Sequence, residues 1–204
     1  MKMSSYSYSL QRRLPQQSRG RRRVASLLRA ADTVIGQAGY ESATMCAIAA
    51  RAGASVGSLY QFFPNKEAVV EALRTLYAEE YAEHWRRFMP RAAGLDAEHL
   101  SSEMIDFPLD FAKRHPAFLP LFDAPRAPCA SKRHQMIRDM TAKLLRARRP
   151  DLSPAGARRM ASVVHQVVKG LLTLYARVGT QERTPIVAEF KVVLAGYLRA
   201  RIEK

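Results

Sequence analysis

The sequence predicts an all-α protein of about nine helices. Apolar residues recur every three to four positions along most of the chain, as they do on the buried face of a helix. No segment has the alternating pattern of a strand, and glycine or proline stands where the helical patterns break. Hydrophobic residues make up 48% and charged residues 25% of the 204 residues, which is typical of a globular protein with a substantial core.

The first predicted helix follows a flexible basic tail. Residues 1–18 alternate Ser and Tyr and then give Gln, Arg and Pro without an apolar period, so we expect no folded structure there. From Arg19 an apolar stripe with a 3.6-residue period runs to Gly39, a residue suited to the C-terminal end of a helix. The stripe consists of Val24, Leu27, Leu28, Ala31, Val34, Ile35 and Ala38.

Two short helices are predicted next. Thr44 and Ser55 are suited to cap their N-termini, Gly53 ends the first, and Pro64-Asn65 ends the second. The inward residues of the first are Ile48, Ala49 and Ala52, and the second carries the apolar residues Val56, Leu59, Phe62 and Phe63. We expect Ile48, Ala52, Leu59 and Phe62 to close the core beneath the two helices.

A long amphipathic helix then runs from Lys66 to Met89, about 35 Å at 1.5 Å per residue. Pro90 and Gly94 stop it. Helical patterns resume at 95–115, 117–122, 130–148, 153–179 and 184–202. We therefore divide the chain into a tail at 1–18, a three-helix domain at 19–66 and a second helical domain at 67–204.

The net charge of +15 is unevenly distributed. Residues 1–66 hold ten basic and two acidic residues, a net +8, and leave +7 for the other 138 residues. Such a surface attracts phosphate polyanions and releases their counterions, which favours DNA or RNA as a partner. Charge alone does not separate nucleic acid from an anionic membrane surface.

Several classes of protein are disfavoured. No run of about 18 apolar residues and no secretory signal is found, so we expect a cytoplasmic protein without a membrane segment. Cys46 and Cys129 have no disulfide or zinc spacing, and we expect reduced thiols, with a redox function for Cys46 as a minor alternative. No GxSxG, HExxH, Walker or GxGxxG sequence occurs. We expect no enzyme activity, catalytic residue, metal or cofactor.

The segment from Ile48 to Phe63 carries the clearest functional signal. Two short helices that cross steeply need a small residue at their contact, which Ala49 supplies, and a residue that tolerates positive φ in the turn, which Gly53 supplies. The other face of the second helix is short and polar, as required to enter a major groove. This face contains Gly57, Ser58, Tyr60 and Gln61, and the segment is predicted to be a helix-turn-helix.

Here the sequence resembles the tetracycline-repressor (TetR) family of transcriptional regulators. From Ile48 to Glu67 it follows the family pattern apolar-Ala-x-x-Ala-Gly-apolar-Ser-x-Gly-x-Leu-Tyr-x-x-Phe and then Lys-Glu. The resemblance covers about residues 19–70. It implies that Thr44, Tyr60 and Lys66 contact or approach DNA phosphates and that the bases are faced by Val56, Gly57, Ser58 and Gln61. Phe62 departs from the His or Tyr of many relatives, and we favour core packing for it.

The arginines in the tail and in the first turn of the first helix extend the predicted DNA surface. They include Arg21 and Arg22, which we expect to contact the DNA backbone or minor groove without setting sequence specificity. A solvated charge run is the alternative interpretation.

The last two predicted helices, 153–179 and 184–202, have apolar faces too wide for one intramolecular contact. We infer that they also pack against their copies in a second subunit, as the resemblance implies, to form a homodimer. Gly170 and Gly196 lie within these helices, where close backbone approach or simple tolerance explains them equally well.

The middle of the chain is rich in aromatic and Met side chains that suit an apolar ligand cavity, where the resemblance places an effector. Pro108 would bend its helix and open space, and His115, His134 and His165 are polar residues without a metal spacing. The predicted ligand contacts are Trp85, Phe88, Met104, Phe107, Phe111, Phe118, Phe122, Met136, Met140 and His165.

Together with these features, the resemblance to the TetR family implies a repressor that a small, largely apolar ligand releases from a palindromic operator. Its two recognition helices would lie one turn of DNA apart, about 34 Å, or a multiple of it. The resemblance also implies that the helix from Lys66 acts as the lever when the ligand shifts the protein to a second arrangement. The alternatives are an activator or ligand-independent regulator of the same fold, or a protein that binds nucleic acid or a membrane surface without sequence specificity.

Overall fold

A computed structural model describes residues 18–122 and 128–202, with side chains at 19–122 and 134–202. Within these ranges the chain forms nine helices and no strand, which confirms the all-α prediction. The helices are α1 (Ser18–Ser42), α2 (Met45–Arg51), α3 (Val56–Phe62), α4 (Lys66–Ala92), α5 (Ala97–Arg114), α6 (Phe118–Phe122), α7 (Pro128–Arg148), α8 (Pro154–Arg177) and α9 (Thr180–Ile202). The predicted tail up to residue 17 and the side chain of Cys129 lie outside the description.

The predicted caps and turn glycines of the N-terminal helices are confirmed. Gly39 leaves helical geometry with φ 79°, and the helical turn after it is counted within α1. The hydroxyl oxygens of Thr44 and Ser55 accept hydrogen bonds from the N–H groups of residues 47 and 58, each at 3.1 Å. Gly53 has φ 58° in the turn between α2 and α3, a conformation that glycine adopts without a steric penalty.

Prolines lie inside three of the long helices, α4, α5 and α9. Pro90 is within the last turn of α4, and α9 begins at Thr180, ahead of the predicted start, with Pro185 near its N-terminal end. Pro108 lies in the middle of α5. A proline removes one N–H donor from a helix. Only the first four N–H groups of a helix lack a partner within it, so each of these helices continues through its proline with one backbone hydrogen bond fewer. Helix α4 ends at Ala92, three residues beyond its predicted end at Met89.

The chain divides into two compact units. The first contains the residues up to Leu73 together with His115–Leu121, and the second contains Arg74–Arg114 and the chain from Phe122 onward. The sequence-based division between residues 66 and 67 gave 115–121 to the second domain. In the structure Asp32 Oδ1 accepts a hydrogen bond from the Ala117 N–H at 2.8 Å, a contact between residues 85 positions apart that no local pattern reveals.

In the second unit, α7 packs against α8, α5 against α9, and α8 against α9. Tyr77, Tyr81, Phe107 and Phe111 form an edge-to-face aromatic cluster with ring centroids 4.7 to 5.9 Å apart. The Lys191 ammonium pairs with Asp106 Oδ2 at 2.6 Å and joins α9 to α5. None of the described helices has the length and apolar content needed to cross a membrane.

Candidate nucleic-acid interface

A small buried core holds α3 against α2. Ile48, Ala49 and Leu59 are fully buried, and the turn between the helices is fixed by a hydrogen bond from the Ala54 N–H to the Ala49 carbonyl at 2.9 Å. The small side chain of Ala49 lets the two helices approach, as the sequence predicted. Because one side of α3 is anchored in this way, its other side has a defined orientation.

The outer side of α3 is open to solvent. Tyr60 is 48% exposed, Gly57 and Gln61 are also exposed, and Val56 and Ser58 are half-buried. A Cβ placed on Gly57 would meet no described atom within 4 Å. Glycine weakens a helix by about 0.5–1 kcal/mol relative to alanine, and packing within the described chain does not require it here. The exposed face thus combines hydrogen-bonding groups with a glycine, where another molecule can approach the helix backbone closely.

The small core between α2 and α3 differs from the prediction in two residues. Ala52 and Phe62, which we expected to close the core, are only half-buried, whereas Phe63 is buried. Phe63 follows α3 in extended conformation at φ −133°, which turns its ring to the side opposite that of its helical neighbour. The sequence alone does not indicate which of the two adjacent phenylalanines is buried, because that depends on the tertiary structure.

Lys66 has structural contacts beyond its predicted approach to a phosphate. Its ammonium donates to the carbonyl oxygens of Tyr40 at 2.8 Å and Glu41 at 3.1 Å, and it lies 4.5 Å from the centroid of the Tyr40 ring. The Tyr40 hydroxyl bonds to Glu67 Oε1 at 3.2 Å. These contacts join the start of α4 to the end of α1, and sequence reasoning missed them.

Asn65 begins α4 as an N-cap, with its Oδ1 accepting the Ala68 N–H at 2.8 Å. The signal was available, because Asn directly before a helix is a favoured cap. Thr44 keeps an exposed position, and its hydroxyl oxygen is already used as the α2 cap. Arg21, Arg22 and Arg51 are exposed in the same unit, so the helix-turn-helix has cationic side chains in its own compact unit.

The ten predicted ligand contacts are distributed over both units. Trp85, Phe88, Met104, Phe111, Phe118 and Phe122 are buried, while Phe107, Met136, Met140 and His165 are half-buried. Phe118 belongs to the first unit and the other nine belong to the second. The structure brings Phe107 and Phe111 together, and likewise Trp85 and Phe88, whose rings are 5.7 Å apart. These side chains pack against one another.

Two concave surfaces lie beside some of these residues. A cleft of about 530 Å³ includes Phe107 but is lined mainly by polar side chains of α5 and by His84. The His84 ring stacks on Phe107 with centroids 3.4 Å apart, and burial, followed by the charges of Arg91 and Arg114, lowers the pKa of His84 from 6.5 to about 4. A groove of about 460 Å³ on α7 is lined by Gln135, Met136, Asp139, Met140 and Lys143.

His165 forms a pair with His134, His165 Nε2 lying 3.0 Å from His134 Nδ1. One ring must donate and the other accept at this distance. In the described part of the chain, no three His, Cys, Asp or Glu side chains are grouped so as to hold a metal ion. Cys46 is exposed on α2.

The faces of α8 and α9 expose apolar side chains. Val192 and Val193 are 67% and 57% exposed, and Val163 and Leu174 are 43% and 39% exposed. Gly196 is exposed near the two valines, and a Cβ on it would meet no described atom within 4 Å. An apolar surface of this kind is typical of a protein-protein contact.

Comparison with known families now identifies the fold. A model of the bacterial regulatory proteins of the tetR family matches residues 27–73, which contain most of α1, all of α2 and α3, and the start of α4. A model of the tetracyclin repressor-like C-terminal domain matches residues 96–198. The chain belongs to the TetR family. It is a DNA-binding transcriptional regulator with an N-terminal helix-turn-helix and a helical C-terminal domain, as the sequence predicted.

Solved structures share this TetR fold. The transcriptional regulator FadR from Bacillus subtilis, in complex with stearoyl-CoA, is similar with a TM-score of 0.66 at 15% identity, over 85% of this chain and 96% of that chain. A TetR-family regulator from Pectobacterium atrosepticum has a TM-score of 0.66 at 16% identity, over 93% and 99%. NalD from Pseudomonas aeruginosa, the secondary repressor of the MexAB-OprM multidrug efflux pump, has a TM-score of 0.63 at 17% identity, over 90% and 98%. No curated protein sequence matches the chain.

Proposed function

We propose that this TetR-family protein is a homodimeric repressor that a small, largely apolar ligand releases from a palindromic operator. The observation that carries the proposal is the exposed face of α3. It presents Gly57, Tyr60 and Gln61 to solvent while Leu59, on the opposite side, is fully buried. A helix that is anchored on one side and polar and open on the other is suited to the major groove.

In the proposed complex Tyr60 and Thr44 contact backbone phosphates, and Val56, Gly57, Ser58 and Gln61 face the bases. Lys66 has two of its protons engaged with carbonyl oxygens, so the third is free for a phosphate and the side chain is held in position for it. Arg21 and Arg22 add contacts without base specificity. Specificity accordingly comes from a few short side chains on α3.

The dimer is proposed to form through residues 153–179 and 184–202. The exposed valines of α9 and the exposed Val163 and Leu174 of α8 support it, because burying such side chains against a second copy is favourable. Two-fold symmetry then pairs two recognition helices with a palindrome whose half-sites lie one helical turn, about 34 Å, or a multiple apart.

The ligand is proposed to bind in the second unit, among the predicted contacts that belong to it. Since Phe107 packs against Phe111 and Trp85 against Phe88, a ligand that enters here separates these rings and favours a second arrangement of the domain. The FadR structure, which holds stearoyl-CoA on the same fold, supports a ligand with a long apolar chain. DNA affinity falls by the ratio of the ligand's affinities for the two arrangements, with α4 as the proposed lever.

Selection of genomic fragments with the purified protein, followed by footprinting, tests DNA recognition. We expect a palindromic site that the unmodified protein protects and that a Tyr60→Ala, Gln61→Ala protein does not. A Lys113→Ala, Lys143→Ala protein, changed at exposed positions outside α3 and outside the proposed dimer segments, is the control and should protect the site. Equal protection by all three proteins would exclude α3 as the recognition helix.

Transcription in vitro from the recovered site tests the direction of regulation and the effector. We expect the protein to lower transcription and a series of acyl-CoA thioesters of increasing chain length to restore it. Higher transcription with the protein would indicate an activator. If the protein lowers transcription and none of the apolar ligands restores it, the proposal of a repressor stands and the proposal of an apolar effector is contradicted.

A further inference from the structure

The positive charge of the C-terminal part of the chain is concentrated at one end of the second unit. Residues 67–204 carry a net +7, and +5 of it lies in the segments 83–103, 146–159 and 198–202. These segments contain ten arginines, no lysine and five carboxylates, and they leave +2 for the other 98 residues. We call these three segments the arginine end.

Hydrogen bonds show that the three segments converge in space. The Arg148 guanidinium donates to the Ala92 carbonyl at 3.0 Å and to the Leu95 carbonyl, which joins the end of α7 to the end of α4. The Arg149 guanidinium donates to the Arg201 carbonyl at 2.8 Å, which joins α7 to the end of α9. The start of α8 follows α7 after a short loop. Four helix ends therefore meet at one surface.

The carboxylates of the arginine end are already engaged. Glu83 pairs with Arg86 and with Arg87, and Glu103, Asp151 and Glu98 pair with Arg91, Arg149 and Arg199, respectively. Asp96 Oδ1 accepts a hydrogen bond from the His99 N–H at 2.8 Å. Arg146, Arg158 and Arg201 are exposed, and none of the ion pairs found among the described residues involves them. The surface thus keeps cations available for an external partner.

We propose that the arginine end is a second binding surface for the phosphate backbone of duplex DNA, in addition to the helix-turn-helix. Guanidinium groups bind phosphate oxygens through two parallel hydrogen bonds, which ammonium groups do not. Each helix is about 10 Å wide with its side chains, so the surface exceeds a single phosphate and fits a polymer of them.

The chemistry of the arginine end favours DNA over other polyanionic partners. None of the exposed large apolar side chains found in the described residues lies in its segments. A membrane-surface helix needs such side chains to enter the lipid, and the centre of a protein-protein interface is enriched in them. Protein-DNA interfaces are instead polar and strongly positive.

The test uses the full chain with Tyr60→Ala and Gln61→Ala to weaken the recognition helix, and a duplex without a palindrome. Into it we introduce Arg146→Gln, Arg158→Gln and Arg201→Gln, and in a matched control Lys113→Gln, Arg138→Gln and Lys143→Gln, which lie outside the arginine end and outside the proposed dimer segments. Both triple variants lose three positive charges from the second unit. Fluorescence anisotropy from about 50 to about 200 mM KCl gives the affinity and its salt dependence.

We expect the arginine-end variant to bind the duplex about tenfold more weakly at low salt and to lower the slope of log affinity against log salt by about 2 to 3, since each phosphate contact contributes about 0.9. The control should change affinity by less than about twofold. Equal losses in both variants, or none in either, would overturn the proposal.

Two competition measurements on the unmodified arginine end complete the test. Polyglutamate that displaces the duplex at equal charge concentration would indicate an acidic protein partner and overturn the proposal. Vesicles containing phosphatidylglycerol that bind the protein through these arginines, in preference to the duplex, would indicate a membrane surface and overturn it as well. Circular dichroism and light scattering establish that each variant is folded and keeps its oligomeric state.

Discussion

The exposed faces of α3 and α9 are opposites in chemistry. On α3 the exposed residues are glycine and polar or phenolic side chains, whereas α9 exposes two adjacent valines at 67% and 57%. Each helix also has a well-buried side, centred on Leu59 in α3 and on Leu194 and Leu198 in α9. Burial on one side fixes a helix in place, and the chemistry of the other side indicates its partner: polar groups suit the edges of bases, and apolar groups suit a second copy of the chain.

The largest expected effect comes from reversing the chemistry of the α9 face. Val192→Glu with Val193→Glu would bury unpaired charges in the proposed dimer, so we expect a monomer at micromolar concentration and an operator affinity lower by at least about 100-fold. Light scattering and anisotropy measure the two results. Thr180→Glu with Gln181→Glu, on exposed positions at the start of α9 and outside the proposed dimer segments, is the control. A Val192→Glu, Val193→Glu protein that still dimerises would contradict the proposed interface.

The two sides of α3 should separate stability from DNA binding. Tyr60→Ala removes an exposed ring, so the free energy of unfolding should change by no more than about 0.5 kcal/mol while operator affinity falls about tenfold. Leu59→Ala, one residue away and fully buried, should cost about 2–5 kcal/mol of stability. Urea unfolding and anisotropy distinguish the two, and a Tyr60 variant that destabilises without weakening DNA binding would reverse the assignment of the faces.

Substitutions at two glycines also separate effects on stability from effects on DNA binding. A Cβ on Gly36 would lie 2.3 Å from Pro116 Cβ and 2.7 Å from the Pro116 backbone carbon, so Gly36→Ala should destabilise the protein by about 1–3 kcal/mol. Gly57→Ala has open space and should stabilise it by about 0.5–1 kcal/mol. The methyl group on the recognition face should nonetheless weaken operator binding. Thermal unfolding and anisotropy report both effects, and stronger operator binding by the Gly57 variant would argue against close approach of this face to DNA.

The smallest effect concerns the second unit alone. Since the pKa of His84 is lowered to about 4 in the folded state, the unfolded chain binds more protons than the folded chain between pH 6.5 and 4. The contribution of His84 to the free energy of unfolding is therefore fully present above pH 6.5, and acidification to pH 4 should lower the free energy of unfolding by about 1–2 kcal/mol. This is less than the full pKa shift implies, because water screens the partly exposed ring. Urea unfolding across this range in the unmodified and His84→Gln proteins measures the effect; an unchanged pH dependence in the variant would remove His84 as its cause.

Local sequence was most informative where short-range rules apply. Thr44, Ser55 and Gly53 predicted the caps and the turn of the helix-turn-helix, since capping and positive φ depend on residues within one or two turns. The same rules were available for Asn65. They did not decide between Phe62 and Phe63, because burial of adjacent aromatic residues depends on where the chain leaves the helix.

The predicted ligand contacts show the limit of composition. Aromatic and Met residues in the middle of the chain indicated a soft apolar interior, and the structure packs Tyr81, Phe107 and Phe111 into a cluster. Composition did not indicate that the cleft beside Phe107 is lined mainly by polar side chains. That arrangement depends on which face of α5 lies next to α4.

The all-α class, the limits of the recognition segment and the basic character of its surroundings could be predicted from the sequence, because helix periodicity, capping and charge are properties of neighbouring residues. Three features required the folded structure: His115–Leu121 joins α1 through Asp32 and Gly36, Lys66 holds the end of α1, and arginines from four helix ends meet at one surface. Each of these contacts joins residues far apart in the chain. Their proximity results from the packing of whole helices, which no local pattern encodes.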